Sequence, residues 1–155
     1  MTRGAYNFLQ RLGAVVMAAT MMLWSFGASA ANLEINLKLI WGTNDAKSPN
    51  PKHKPVSPEL TNKLRKIFQW KNYFEVNDVT GRVPSRQSKK FRLSDKCEIE
   101  ITEMEGPKVE IKLYGEGKVV NKITKPLVKG ESVFIGAEDK GENSWFIMIS
   151  LLNEN

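Results

Sequence analysis

The sequence predicts a mostly β protein: an antiparallel β-sandwich or barrel of about seven strands, with one short α-helix packed on it and a cleavable signal peptide ahead of it. Three observations lead there. Leu33, Ile35, Leu37, Leu39 and Trp41 alternate with Glu34, Asn36, Lys38 and Ile40, which is the period of a half-buried strand. Short runs rich in β-branched and aromatic residues then follow to the C-terminus, separated by closely spaced Gly-, Pro- and Asn-containing turns. Only the stretch after Ser57 carries a helical period.

Residues 1–30 stand apart from that domain. Arg3 and Arg11 give a positive start, and the uncharged run from Leu12 to Phe26 is mostly apolar, which is the pattern of a secretory leader. That run would span roughly 22 Å as a helix, less than the roughly 30 Å hydrocarbon core of a bilayer. Ala28 and Ala30 supply the small residues of a cleavage site, so the expected mature chain begins at Ala31. The expectation is therefore a protein exported by its signal peptide to the periplasm or beyond, with residues 31–155 forming one domain. A chain of that length can bury a core without disulfides or metals.

Taken in order, the first strand covers Leu33 to Trp41. Residues 42–56 contain three prolines and no aromatic residue, and read as an exposed loop. Ser57 followed by Pro58 is a helix cap with proline at the first helical position, where its missing N–H costs nothing. Leu60, Leu64, Ile67 and Phe68 then form one apolar stripe, which predicts a helix packed on one side only. Tyr73 to Thr80 is a strand, and Gly81 to Lys90, polar and broken by Pro84, is a basic loop.

Phe91 and Leu93 open an alternation that Cys97, Ile99 and Ile101 continue, and Gly106-Pro107 turns it back into Val109, Ile111 and Leu113. The expected hairpin register sets Ile101 against Val109, Ile99 against Ile111 and Cys97 against Leu113, with Glu98 opposite Lys112 and an unfavourable Glu100 opposite Glu110. Turns at Gly115-Glu116-Gly117 and Lys129-Gly130 lead into strands over Val119 to Ile123 and Ser132 to Ala137. Ser144 to Leu152 is apolar on both parities, so it should be a central strand covered on both faces. Immunoglobulin-like sandwiches resemble this in strand count, but their paired Cys with an intervening Trp is missing, so the likeness concerns architecture alone.

The chemistry-bearing residues are sparse. One Cys and one His exclude a disulfide framework and most histidine-rich metal sites, and neither a Gly-rich phosphate loop nor a G-x-S-x-G turn is present. Cys97 falls among apolar neighbours and reads as a small buried hydrophobe, while His53 lies in a lysine- and proline-rich loop. Asp139, Gly141 and Asn143 have the spacing of oxygen donors for a hard cation, but the same residues serve any turn. No catalytic residue, metal ligand or cofactor is expected, and a small hydrolase built on Cys97 or a loop carboxylate is the least supported of the functional classes.

Charge supplies the one asymmetry. Residues 47–92 hold twelve basic side chains and three acidic ones, whereas residues 93–155 hold eight lysines and twelve acids. Lys63, Arg65, Lys66, Trp70, Arg82, Arg86, Lys89, Lys90 and Arg92 are the candidate binding residues, basic groups interleaved with aromatic rings. Such a mixture also holds single-stranded nucleic acid. Export argues against nucleic acid and toward an acidic protein or an anionic envelope polymer, with peripheral contact to an anionic membrane surface compatible with the same charge. The expected function is a non-catalytic interaction module acting through a basic face. The alternative is a structural subunit of a larger exported assembly, paired through a sheet edge or its apolar C-terminal strand.

Overall fold

In the computed structural model, residues 32–136 and 143–155 are described. The leader expected over residues 1–30 lies outside them, as do Asp139 and Gly141 of the candidate cation turn. Nine strands and one helix follow in the order β1 (Leu33–Thr43), β2 (Lys54–Pro55), α1 (Pro58–Ile67), β3 (Asn72–Val83), β4 (Ser88–Arg92), β5 (Cys97–Glu105), β6 (Lys108–Gly115), β7 (Lys118–Pro126), β8 (Ser132–Gly136) and β9 (Asn143–Glu154). They form two antiparallel sheets, one in the order β2-β3-β1-β9-β8 and the other β4-β5-β6-β7. The mostly β, two-sheet architecture with a single short helix is the predicted one.

Alternation places the core. Leu33, Ile35, Leu37 and Leu39 of β1 point inward, joining Ile99 and Ile101 of β5, Ile111 and Leu113 of β6, and Ile147 and Ile149 of β9 in one cluster between the sheets. A second cluster lies on the outer side of the first sheet, where Ile40, Tyr73, Phe146 and Met148 meet Leu64 of α1. β9 is thus covered on both faces, as its apolar residues at both parities require: Ile147 and Ile149 enter one cluster, Phe146 and Met148 the other.

The helix starts where the sequence predicts. Ser57 Oγ accepts a hydrogen bond from the Leu60 N–H, Pro58 stands in the first turn, and Arg65 and Lys66 sit at the carbonyl end, where the helix dipole favours cations. Its stripe is shorter than expected. Leu64 is fully buried, but Ile67 is 57% exposed. The chain leaves helical geometry at Phe68, whose ring takes the last contact instead, stacking on Phe146 at 4.3 Å between ring centroids.

The predicted β5–β6 register is off by two residues. Ile101 faces Ile111, Ile99 faces Leu113 and Cys97 faces Gly115, because the turn is Gly106-Pro107 between the paired Glu105 and Lys108, and a bulge at Met104 then shifts the ladder by one. A two-residue slip preserves parity, so the same apolar residues stay inside. It also replaces the opposed Glu100 and Glu110 with Glu100 against Lys112, 3.3 Å apart, and frees Glu110 to meet Lys122 at 2.9 Å. Electrostatics favours the observed pairing.

Nor is Gly81 to Lys90 a loop. β3 runs to Val83 and β4 begins at Ser88, so only a tight turn remains. Gly81 reads as a breaker but serves close packing: a Cβ there would lie 2.3 Å from the Phe91 ring. The 91–101 alternation is also two strands, with the reversal closed by the Leu93 N–H donating to the Cys97 carbonyl at 2.9 Å. That division and the two-residue β2 account for nine strands where about seven were expected.

Candidate functional site

Between Val79 and Ser94 the chain contains five basic residues and no acid. The fold turns this segment around one side of the sandwich, because β3 belongs to the first sheet and β4 is the edge of the second. Arg82 alternates with the buried Val83 and so projects from the outer face of the first sheet. Lys90 and Arg92 flank the buried Phe91 and project from the outer face of the second. Arg86 stands in the turn with φ 54°, its backbone N–H and the Ser85 hydroxyl both held by the buried carboxylate of Glu103. Lys89 is exposed on the edge itself.

Part of this charge is balanced internally. Lys90 lies 3.9 Å from Glu98 and stands over the Tyr114 ring at 4.2 Å, and Arg92 meets Asp95 at 3.0 Å. These contacts are exposed and of the class that contributes little to stability. Among the described residues, Arg82, Arg86 and Lys89 form no ion pair.

The helical members of the candidate set lie elsewhere. Lys63, Arg65 and Lys66 are carried by α1, which covers the outer side of the first sheet, so they cannot share one face with Lys90 and Arg92. Lys63 is 3.2 Å from Glu59, and Arg65 donates from Nε and Nη2 to the Lys71 carbonyl at 2.9 and 2.6 Å, tying the helix end to β3. Trp70, expected in contact with ligand, is 8% exposed and packed beneath the helix. Its ring lies on Gly42, where a Cβ would come within 2.6 Å of it, and stacks with Phe68 at 5.9 Å. The single basic face read from the sequence is therefore two separate groups, and the aromatic residue is core.

One cavity was not visible in the sequence. Leu39 and Trp41 of β1, Val76 of β3, Cys97 of β5, Val120 of β7 and Trp145 of β9 wall a cleft of about 660 Å³. Asn50, His53, Asp95, Lys96 and Glu116 ring it. Trp41 and Trp145 are direct partners in the β1–β9 ladder, and the cleft draws on segments far apart in the chain, which is why no local signal announces it. It brings His53 and Cys97 to one cavity, but the His53 Nδ1 is engaged with the Ser48 hydroxyl at 2.6 Å. Burial, aided by the nearby Glu98 carboxylate, pushes the Cys97 thiol up to about 12. A thiol held neutral in this way is a poor nucleophile at physiological pH.

On the outer face of the first sheet, Lys38 reaches both Glu75, at 2.8 Å, and Asp78. Burial would lower the Lys38 pKa, but the two carboxylates outweigh it and hold the ammonium above its usual range. Asp78 shows the converse: burial would raise it, and bonds from Lys38 and Asn36 hold it below the usual carboxylate range. Both partners belong to the β1–β3 ladder, so this is a structural lock. Asn143, the described member of the candidate cation turn, accepts a hydrogen bond from Thr43 Oγ1. Among the described residues no three His, Cys, Asp or Glu side chains gather as a metal site.

No protein-family model matches the chain, and no curated protein or solved structure matches it significantly.

Proposed function

We propose that the protein is an exported, non-catalytic interaction module that binds an acidic partner through the basic side formed by β3 and β4. The observation that carries this reading is the run from Arg86 to Arg92, four cations without an acid, in the turn before β4 and along its exposed edge. Arg86 and Lys89 form no side-chain ion pair among the described residues, so a partner's acids would meet charge that is only partly compensated. Export rests on the leader pattern of residues 1–30, and the mature chain from Ala31 keeps 21 basic against 17 acidic side chains.

The alternative of a structural subunit rests on the free edges of the second sheet. Lysines along both edges oppose pairing between copies of this chain, which favours a partner of opposite charge over self-assembly.

Retention of the folded protein on immobilised poly-glutamate tests the reading. Binding should fall steeply between about 0.1 and 1 M salt, where the screening length shrinks from about 10 to about 3 Å. Lys89→Glu with Lys90→Glu should abolish retention. Lys63→Glu with Lys66→Glu, on the opposite side, should leave most of it. Retention unchanged by the first pair would refute the proposal.

A further inference from the structure

We infer that β4 is a docking edge for an extended acidic polypeptide, which adds to the second sheet as its outermost strand. The inference rests on the reading of the β3–β4 side as the binding surface and names both the partner class and the way it is held.

The register decides which backbone groups are free. β4 has one ladder neighbour, β5, with Ser88 opposite Thr102, Lys90 opposite Glu100 and Arg92 opposite Glu98. At one end the Glu103 N–H donates to the Gln87 carbonyl at 3.1 Å, and at the other the Leu93 N–H donates to the Cys97 carbonyl at 2.9 Å. Antiparallel pairs alternate between bonded and non-bonded, so the odd-numbered positions 87, 89, 91 and 93 bond to β5. The N–H and C=O groups of Ser88, Lys90 and Arg92 therefore point away from the sheet, in a row without a bulge.

Side-chain direction follows the same parity. Lys90 and Arg92 stand on the outer face at the positions whose backbone groups are free. A strand bonded to those groups would set its own alternate residues beside Lys90 and Arg92, and acids there gain two cross-strand charge pairs. Lys89 and Arg86 add charge along and beyond the edge. An acidic strand thus receives main-chain bonds for affinity and alternating cations for specificity, the division found in strand addition generally. A second copy of this chain would place cation against cation.

The probe is a ten-residue peptide with glutamate at every second position and threonine between, compared with the same peptide N-methylated on alternate residues. A sulfated oligosaccharide of equal charge is the non-peptide control. On binding of the unmodified peptide, the amides of Ser88, Lys90 and Arg92 should become protected from hydrogen exchange, while those of Lys89 and Phe91, already bonded to β5, change little. Methylation should weaken binding at least tenfold, since each lost bond is worth on the order of 1 kcal/mol and about 1.4 kcal/mol is a factor of ten.

Ser88→Pro tests the protein side without changing charge. Proline is tolerated at the first residue of an edge strand, and here it removes only an outward N–H from the backbone. That variant should weaken peptide binding about fivefold, the value of one lost bond, while leaving the charge-driven binding of the sulfated oligosaccharide at low salt unchanged. If it does not fold, the methylated peptide carries the test alone. Equal binding of methylated and unmethylated peptide, or tighter binding of the oligosaccharide, overturns strand addition and leaves the electrostatic reading standing. Absence of salt-dependent binding to every probe overturns both.

Discussion

The two edges of the second sheet carry charge of the same sign and differ in the continuity of their backbone. β4 has five residues in unbroken register with β5, and Lys89 on it forms no ion pair among the described residues. β7 is longer, but its register with β6 breaks between Leu113 and Tyr114, it ends at Pro126, and its Asn121 side chain donates to the Gly136 carbonyl of β8 at 2.8 Å. Lys122 on β7 pairs with Glu110. Bulge, proline and a bond across to the other sheet are each devices that close an edge, whereas among the described residues both edges mix paired and unpaired cations. A lysine-bearing edge is therefore not in itself a guarded one; what matters is whether its backbone row is continuous.

The largest expected effect comes from disturbing the β4 side. Gly81→Ala places a Cβ where the Phe91 ring lies, and Phe91 is the inward anchor of β4. Overpacking of this kind costs roughly 1–3 kcal/mol, and here the cost falls on the contact that holds the edge in place. Chemical denaturation should show a lowered midpoint, and hydrogen exchange should show faster opening at Lys89 and Phe91 than at β7. Uniform loosening of both edges would mean that the Gly81–Phe91 contact does not set the position of β4.

A smaller effect is expected on the other side. Asn121→Ala removes the bond to the Gly136 carbonyl, at a cost of about 1 kcal/mol for a partly buried hydrogen bond. Exchange should accelerate in β7 and β8, with peptide binding at β4 unchanged. If the peptide now also protects β7 amides, the Asn121 bond is what keeps that edge closed.

Much of this was readable in the sequence, and the omissions have specific physical causes. Strand parity is a local property, so the inward set Leu33, Ile35, Leu37, Ile99, Ile101 and Ile111 was legible. The Ser57 cap and Pro58 were equally plain. Register depends on the turn, and the two-residue turn at Gly106-Pro107 together with the one-residue bulge at Met104 leaves the β5–β6 pairing two residues from the expected one without altering any face. Gly81 and Gly42 each fell at the start of an expected loop, because their purpose, to admit the rings of Phe91 and Trp70, depends on residues brought near only by the fold. For the same reason Trp70 passed for a surface aromatic. The basic segment was legible as charge, but its division between two sides of the sandwich was not, since linear sequence does not say on which sheet a lysine will stand.

The smallest effect tests whether charge on β7 is already used. Glu110 accepts bonds from Lys122 and, secondarily, from Lys112, and these hold its carboxyl below the usual range. A carboxyl depressed in the folded state stabilises the fold above its unfolded pKa, and that contribution is lost as pH falls through the folded value. Lys122→Ala should therefore raise the Glu110 titration toward the ordinary range in an NMR pH series, with Lys112 preventing full recovery. Lys89→Ala should shift no carboxyl of the described chain, yet it should weaken poly-glutamate retention, which Lys122→Ala leaves nearly intact. The opposite pattern would make β7 the edge with available charge, and the docking assignment would have to move to that side.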